Sequence, residues 1–289
     1  MPARVWHALA GLIVLLLAAV VGLDQWQARR GEASLFRVSW PSRGSAAPPP
    51  RAESRRPSLA EPTPSSARGG PRVAVIVDEM GGRRDVFESL RELARPVTLA
   101  LLPGLPLSPS MARESSRSGM EALLDLPMEP YRYPQMHPGP GALLMSTPHD
   151  EIRRLVGRHL EALPGVVGVT NHMGSRLTED RARMRAVLEV LAARRLFLVD
   201  AYTSNLSVAY DEARELGLRA ARRQIAVDSD RGDEAERANW GEVAAWAERR
   251  GEVIVIAHGR PLTARLLREH IARWEARGLR VVPVSELVH

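Results

Sequence analysis

Side chains that can bind metal ions or transfer protons follow several short apolar runs in this sequence. They are Asp78 and Glu79, Asp125 and Glu129, His172, Asp200, and His258. The chain contains no cysteine, which excludes a thiolate zinc site and a cysteine nucleophile. Carboxylates and imidazoles are ligands that suit zinc, manganese or nickel. Such a metal lowers the pKa of bound water, and a nearby carboxylate can act as base and a histidine as acid.

Each of these residues also has an ordinary structural interpretation. The acids after the first and fifth runs could cap the following helices, and those after the third could be held by backbone amides. Either histidine could be a packed or hydrogen-bonded side chain. A functional site is favoured because all of them would meet at one place, where buried charges are costly unless paired or bound to metal. A serine nucleophile has little support, since no G-x-S-x-G motif is present.

The elements that must position these residues begin at Val73. Runs typical of β-strands alternate with helix-like segments from there onward. The predicted strands are 73–77, 97–102, 121–126, 166–170, 196–199, 224–227, 253–257 and 280–284. This alternation predicts a parallel sheet covered by helices, and seven or eight units favour a closed or nearly closed barrel over an open doubly wound sheet. In such folds functional side chains collect at the C-terminal strand ends, where the candidates would lie.

The segment TNHMGSR, residues 170–176, shows how one strand end could present a histidine. Gly174 would let the chain turn sharply, and Ser175 could satisfy an amide of the turn. Asn171 could fix the imidazole by a hydrogen bond. His172 would then point into the mouth of the barrel as a metal ligand or transition-state donor, with a structural histidine as the alternative.

Residues before 72 have a different character. Residues 5–23 contain no Asp, Glu, Arg or Lys, and their length is about what a helix needs to cross a bilayer. We interpret 1–26 as an inner-membrane anchor, with a cleaved signal peptide as the alternative. Residues 27–71 are rich in Pro, Ser, Ala and Arg, which is typical of a disordered linker. The folded domain is then 72–289, placed in the periplasm under either interpretation.

The basic charge of the chain does not indicate a nucleic-acid partner. Its formal net charge is +6, and no lysine occurs among its 40 basic residues. Residues up to Arg72 hold ten Arg and four acids, and from Val73 onward 30 Arg balance 30 acids. A nucleic-acid-binding domain usually carries a basic patch on its folded surface. We therefore expect no nucleic-acid binding.

Seven segments together resemble the divergent polysaccharide deacetylase family, the YibQ-like proteins. They are VAVIVDEMG, TLALLPG, LPMEP, PGPGAL, PGVVGVTNHMGSRLT, LFLVDAYTS and VIVIAHGRP, in that order. The resemblance extends essentially from Val73 to Leu287. It implies a deformed (β/α) barrel of the glycoside hydrolase/deacetylase superfamily in an envelope protein. It also implies metal-dependent removal of acetyl groups from an envelope or extracellular polysaccharide, such as a peptidoglycan-type glycan.

The same resemblance implies roles for individual residues. The catalytic residues would be Asp78, Asp200 and His258, and the metal ligands Glu79, Asp125, Glu129 and His172. Zinc is the first choice of metal, with manganese or nickel as alternatives. Asn171 and Ser175 would orient the site.

Two positions depart from the family's pattern. Glu79 stands where the resemblance expects a metal-binding Asp, and Asp125 stands where it expects a His. Each replacement keeps an oxygen donor but alters its reach and charge. The alternative function is therefore a catalytically degenerate barrel that acts as a membrane-tethered glycan- or protein-binding module. A glycosidase with paired carboxylates is a more distant alternative, because Asp125 and Glu129 follow the same strand.

The anchor predicts where the protein is found. A reporter enzyme fused after residue 72 should be active only in the periplasm, and the full chain should sediment with inner membranes. A soluble mature form that begins near residue 25 would show that the segment is a cleaved signal peptide instead.

Overall fold

The computed structural model describes residues 69–228 and 232–289. The predicted anchor over 1–26 and nearly all of the linker over 27–71 lie outside these residues. Every helix within the described part is too short or too polar to span a membrane. The first strand starts at Arg72.

The described chain alternates nine strands with seven helices. The strands are β1 Arg72–Met80, β2 Thr98–Leu101, β3 Ala122–Met128, β4 Gly168–Met173, β5 Phe197–Asp200, β6 Ala220–Arg222, β7 Ile225–Ala226, β8 Glu252–His258 and β9 Arg280–Val281. The helices are α1 Arg84–Arg91, α2 Ser108–Ser118, α3 His149–Ala162, α4 Arg181–Ala193, α5 Ala209–Glu215, α6 Asp233–Arg250 and α7 Pro261–Ala276. Short 3₁₀ helices cover Leu177–Glu179 and Val284–Leu287.

All strand pairings within the described residues are parallel, which confirms the predicted sheet type. Eight strands run in the order β6-β5-β4-β3-β2-β1-β8-β7, and β9 pairs with the beginning of β1. The predicted 280–284 strand is only two residues long, and Pro283, which has no N–H to donate, follows it closely.

The sheet curls into a half-barrel, which agrees in part with the predicted barrel, but strand pairing does not close it. Its end strands are very short, with three residues in β6 and two in β7, and no ladder joins them in the described chain. Only Arg223 and Gln224 separate these strands. The Arg223 N–H donates to Asp200 O, and the Gln224 N–H donates to Ile254 O. The chain itself therefore passes from one edge of the sheet to the other without strand pairing.

Both faces of the central strand β1 are buried, as a parallel sheet requires. Val73, Val75 and Val77 pack in the main core with the helices. Ala74 and Ile76 belong to a second cluster on the inner side of the curl, which the C-terminal residues 282–288 help to fill. The end of the chain thus closes the inner face, and the polar residues are left to the strand ends.

Strand register brings the candidate residues to one edge. Asp78 on β1 pairs with His258 on β8, and Asp125 on β3 pairs with Thr170, two residues before His172. Non-glycine residues in the left-handed region lie at or just beyond the ends of three strands of this edge, at Glu79 (φ 55°) in β1, Met173 (φ 51°) in β4 and Tyr202 (φ 51°) after β5. Such strained backbone frequently occurs at functional sites.

The turn after β4 depends on glycine, as the sequence predicted. Gly174 has φ +84°, and a Cβ there would lie 2.8 Å from Met128 Cβ. Gly174→Ala should lower the free energy of unfolding by more than the roughly 1 kcal/mol that a left-handed alanine alone costs. The measurement is urea denaturation.

Gly104→Ala is the matched control, because Gly104 has φ +81° and a Cβ added there would meet no other atom within 4 Å. Equal losses for the two variants would show that contact with Met128 does not constrain the turn.

Candidate functional site

The carboxylate of Glu79 lies between two imidazoles at the open edge of the sheet. Its Oε1 is 3.7 Å from His172 Nδ1 and 3.7 Å from His258 Nε2. The side chains of Glu79 and His258 are 40% and 42% exposed, so a solute can reach them. The positive φ of Glu79 turns the chain at the point where β1 crosses this edge. The arrangement joins a potential base and two potential acids within one small region.

Two further carboxyl groups, those of Asp125 and Asp78, lie close to this cluster. Asp125 is fully buried, and its Oδ2 accepts the Glu79 N–H at 3.0 Å and lies 3.9 Å from His172 Nδ1. Burial raises the pKa of Asp125 to about 7, and the Glu79 carboxylate adds to the rise while its N–H opposes it. Burial also raises the pKa of Asp78 well above its usual range, helped by Asp125. Both acids therefore keep their protons to a higher pH than an exposed carboxyl does.

His172 is the more buried of the two histidines, with 7% exposure. Burial lowers the pKa of His172, although the Glu79 carboxylate acts in the opposite direction. Its imidazole is consequently mainly neutral at pH 7. A neutral ring can keep one nitrogen as a hydrogen-bond donor and the other as an acceptor.

Asp228 orients His258 and was not identified from the sequence. Its Oδ2 accepts a hydrogen bond from the backbone N–H of His258 at 2.8 Å, and its Oδ1 lies 3.4 Å from Nδ1 of the His258 ring. The Arg260 guanidinium contacts both Asp228 and Glu236. Asp228 thus holds one ring nitrogen while the other faces Glu79. The available signal was its place directly after the predicted strand 224–227, where a polar residue at a strand end is a site candidate.

Asp200 and Arg223 organise the loop after β5. Asp200 is fully buried, and it accepts the Tyr202 N–H at 2.8 Å and the Ser207 hydroxyl at 2.9 Å. Arg223 donates to the carbonyls of Ala201 and Tyr202. Burial lowers the pKa of Arg223, against the effect of the Asp200 and Asp78 carboxylates. In the described chain no hydrogen bond or ion pair joins Asp200 to either histidine, and its contacts are those of a loop-fixing residue.

Glu129 is engaged away from the two histidines. Its Oε1 accepts from Arg176 Nη1 at 2.8 Å, and its Oε2 accepts the Met145 N–H at 2.7 Å. Both oxygens therefore hold loops in place. Four residues of extended chain span about 13 Å, which explains why the spacing of Asp125 and Glu129 does not bring their carboxylates together.

The two residues expected to orient the site bind loops instead of the imidazole. Asn171 Nδ2 donates to Met173 O at 2.8 Å, and its Oδ1 accepts the Ala201 N–H at 2.9 Å. Ser175 Oγ accepts the Tyr131 N–H at 3.1 Å. These bonds tie the end of β4 to the loops that follow β5 and β3.

The donor atoms around Glu79 are of the types that zinc accepts, but their arrangement does not fit a metal ion as it stands. Ligand atoms around tetrahedral zinc lie about 3.4 Å apart, whereas the separations from His172 Nδ1 are 3.7 and 3.9 Å. Asp125 Oδ2 is also occupied by the Glu79 N–H. Within residues 69–228 and 232–289, no group of three or more His, Asp or Glu is already arranged as a metal site.

Comparison with known proteins decides the family. The sequence model for "Divergent polysaccharide deacetylase" matches residues 75–288. The chain belongs to this family. Its match covers nearly the whole described domain, as the resemblance of the sequence motifs predicted.

Two bacterial relatives match this member of the family over about two thirds of its length. The uncharacterised protein YibQ of Escherichia coli K12 is 28% identical over 200 residues, which span 69% of this chain and 62% of YibQ. An uncharacterised protein of Haemophilus influenzae is 26% identical over 196 residues, 68% of this chain and 69% of its own. The chain thus spans less than two thirds of YibQ.

A crystal structure supports the fold of the divergent polysaccharide deacetylase. The uncharacterised protein ATU2773 of Agrobacterium tumefaciens C58 superposes with a TM-score of 0.70 and 24% sequence identity. The similarity covers 78% of this chain and 92% of that one. It establishes a shared architecture.

The raised pKa of Asp125 predicts a pH-dependent stability. An unfolded carboxyl loses its proton near pH 3.8, and the folded one near pH 7. The folded state therefore binds the extra proton between these values, and stability falls as pH rises through this window. Asp125→Asn cannot ionise, so its melting temperature in chelator should exceed that of the wild type at pH 8, with the difference shrinking towards pH 5.

Asp150→Asn serves as the control, because the Asp150 side chain is 91% exposed. Parallel curves of melting temperature against pH for wild type and Asp125→Asn would contradict the assignment.

Proposed function

We propose that this chain hydrolyses acetyl groups from a polysaccharide. The observation that carries the proposal is the contact of Glu79 Oε1 with both imidazoles, at 3.7 Å from each, on an accessible edge of the sheet. Membership of the divergent polysaccharide deacetylase family supports acetylated polysaccharide as the substrate class.

The chemistry needs a base for water and an acid for the leaving group. In the proposed reaction Glu79 takes a proton from water as the water oxygen attacks the acetyl carbonyl carbon. The bond from that carbon to the sugar nitrogen or oxygen then breaks, and acetate forms. His258 gives a proton to the departing sugar atom through Nε2. Asp78, the base expected from the family resemblance, is the second candidate for the same proton.

Asp228 determines which ring nitrogen of His258 takes part in this proton transfer. A carboxylate 3.4 Å from Nδ1 favours the ring form with a proton on that nitrogen. Nε2, which faces Glu79, is then the nitrogen that exchanges protons during turnover. His172, which is neutral at pH 7, can donate a hydrogen bond to the carbonyl oxygen as negative charge develops there.

A divalent metal is a further part of the proposal and rests on the sequence. Zinc is the first choice, followed by manganese and nickel. Glu79, Asp125 and His172 would hold the ion only after moving closer together, and Asp78 would then be the base instead of Glu79, as the family resemblance implies. Inner-membrane anchoring through residues 1–26 and a periplasmic location are likewise proposed from the sequence, with cleavage of a signal peptide as the alternative.

A glycan- or protein-binding module without turnover is the second candidate function. The sequence favours it through the replacement of an expected ligand by Asp125 and of an expected aspartate by Glu79. The two functions differ in a single observable, the release of acetate.

Removal of the leaving-group acid tests the proposal. The purified full chain should release acetate from acetylated polysaccharide and from a small acetyl ester, and His258→Ala should lower kcat by roughly 10²- to 10⁴-fold, the usual contribution of an acid–base group. Asp228→Asn should lower kcat less and shift the pH profile, because it acts through His258. Assays with chelator and with added zinc, alongside elemental analysis, test the metal.

His149→Ala is the control, since His149 is exposed at the start of α3. If wild type releases no acetate with any of the three metals, yet binds glycan, the binding module is the correct function.

A further inference from the structure

Exposed apolar side chains of the described chain concentrate at the edge that carries the histidines. The large ones are Tyr131, Met136, Val167 and Leu206. The first two lie between β3 and α3, and Leu206 lies between β5 and α5, so three of the four follow C-terminal strand ends. Val167 precedes β4 at the opposite end. An apolar surface beside a polar reaction centre is typical of a ligand-binding site.

The carboxylate of Glu179 joins the two loops that carry Tyr131 and Leu206. Glu179 Oε1 accepts hydrogen bonds from the Tyr131 hydroxyl and from the Ser204 hydroxyl. Ser204 Oγ in turn accepts the Leu206 N–H at 3.1 Å. The β3–α3 and β5–α5 loops therefore meet at Glu179, and Tyr131 and Leu206 stand on the two sides of this junction.

Tyr131 is held rigidly although it is 56% exposed. Its N–H donates to Ser175 Oγ, three residues beyond His172 in the chain. Its hydroxyl is fixed by Glu179, and this bond raises the pKa of the phenol, so that it remains a neutral donor. An exposed ring that is bonded at both ends loses little conformational entropy on binding a ligand.

We infer that Tyr131 and Leu206 form a sugar-binding rim that holds the pyranose units next to the acetylated unit of a polysaccharide strand. This inference rests on the proposed function for its ligand class. An aromatic ring offers an apolar face to the C–H face of a pyranose, and Leu206, which is 62% exposed, extends the contact on the neighbouring loop. A rim on these two loops would select polymers over single sugars, because the units next to the acetylated one would contact it.

Calorimetric titration of the full chain with β-1,4-linked N-acetylglucosamine, as tetramer and as monomer, tests the rim. Wild type should bind the tetramer at least about tenfold more tightly than the monomer, and Tyr131→Ala and Leu206→Ser should each remove most of this preference. Tyr131→Phe keeps the ring and should retain most of it. Monomer binding and hydrolysis of a small acetyl ester should be unchanged in all three variants.

Val167→Ser is the matched control, because it removes an exposed apolar side chain from the opposite end of the sheet and should change no affinity. The inference is overturned if wild type shows no preference for the tetramer, or if Tyr131→Ala also abolishes ester hydrolysis, which would mark a structural role. It is likewise overturned if sedimentation shows that Tyr131 instead mediates self-association.

Different results would contradict the sugar-binding rim and the proposed hydrolysis. Tetramer binding that depends on Tyr131, in a chain that releases no acetate, would sink the hydrolytic function and support the rim. Acetate release without a preference for the tetramer would support the hydrolytic function and contradict the rim.

Discussion

Crowding of carboxylates at the ends of β1 and β3 is the constraint on which the site depends. Asp78, Glu79 and Asp125 come together because parallel strands end at one edge, and burial penalises the charged forms of the two aspartates. Asp78 Oδ1 and Asp125 Oδ1 are buried and lack a hydrogen-bond partner within the described residues. The cluster therefore keeps protons that exposed acids would lose, and of these three acids Glu79 extends into an accessible position.

Two arginines lie on either side of the acidic cluster and interact with its outer carboxylates. Arg260 contacts Asp228 on one side of the cluster, and Arg223 interacts with the charges of Asp78 and Asp200 on the other. Neither guanidinium bonds directly to Glu79 in the described chain. The accessible carboxylate is left with the two histidines as its close ionisable partners, and this allows proton transfer between them at one edge of a buried sheet.

Strand periodicity was sufficient to predict the parallel sheet and the edge where the polar residues meet. Asp78, His172 and His258 could be placed there because each directly follows a buried run. Contacts that depend on loop conformation could not be predicted. Glu129 shares a strand end with Asp125 but binds Arg176 and Met145, because four residues of extended chain separate side chains by far more than a metal site allows.

Asp228 and the open barrel share one cause. The segment from β6 to β7 forms ladders of only three and two residues. The predicted strand 224–227 gave no indication of the break in the sheet, and Asp228 directly after it was not identified as the acid that orients His258. Asn171 illustrates the same limit, since an amide can bond to any nearby backbone group and the sequence does not say which one is nearest.

The two departures from the family pattern are physically linked in this structure. Glu79 occupies a strained left-handed conformation, and the Asp125 carboxylate accepts its N–H at 3.0 Å. A glutamate side chain is one methylene longer than aspartate, and from this backbone it places its oxygen between the two imidazoles. Asp125 stabilises that backbone through this bond. Burial raises the pKa of Asp125 to about 7, while the Glu79 N–H lowers it and the Glu79 carboxylate raises it. The dependence runs through the backbone: Asp125 accepts the N–H of the residue whose conformation places a carboxylate between the two histidines.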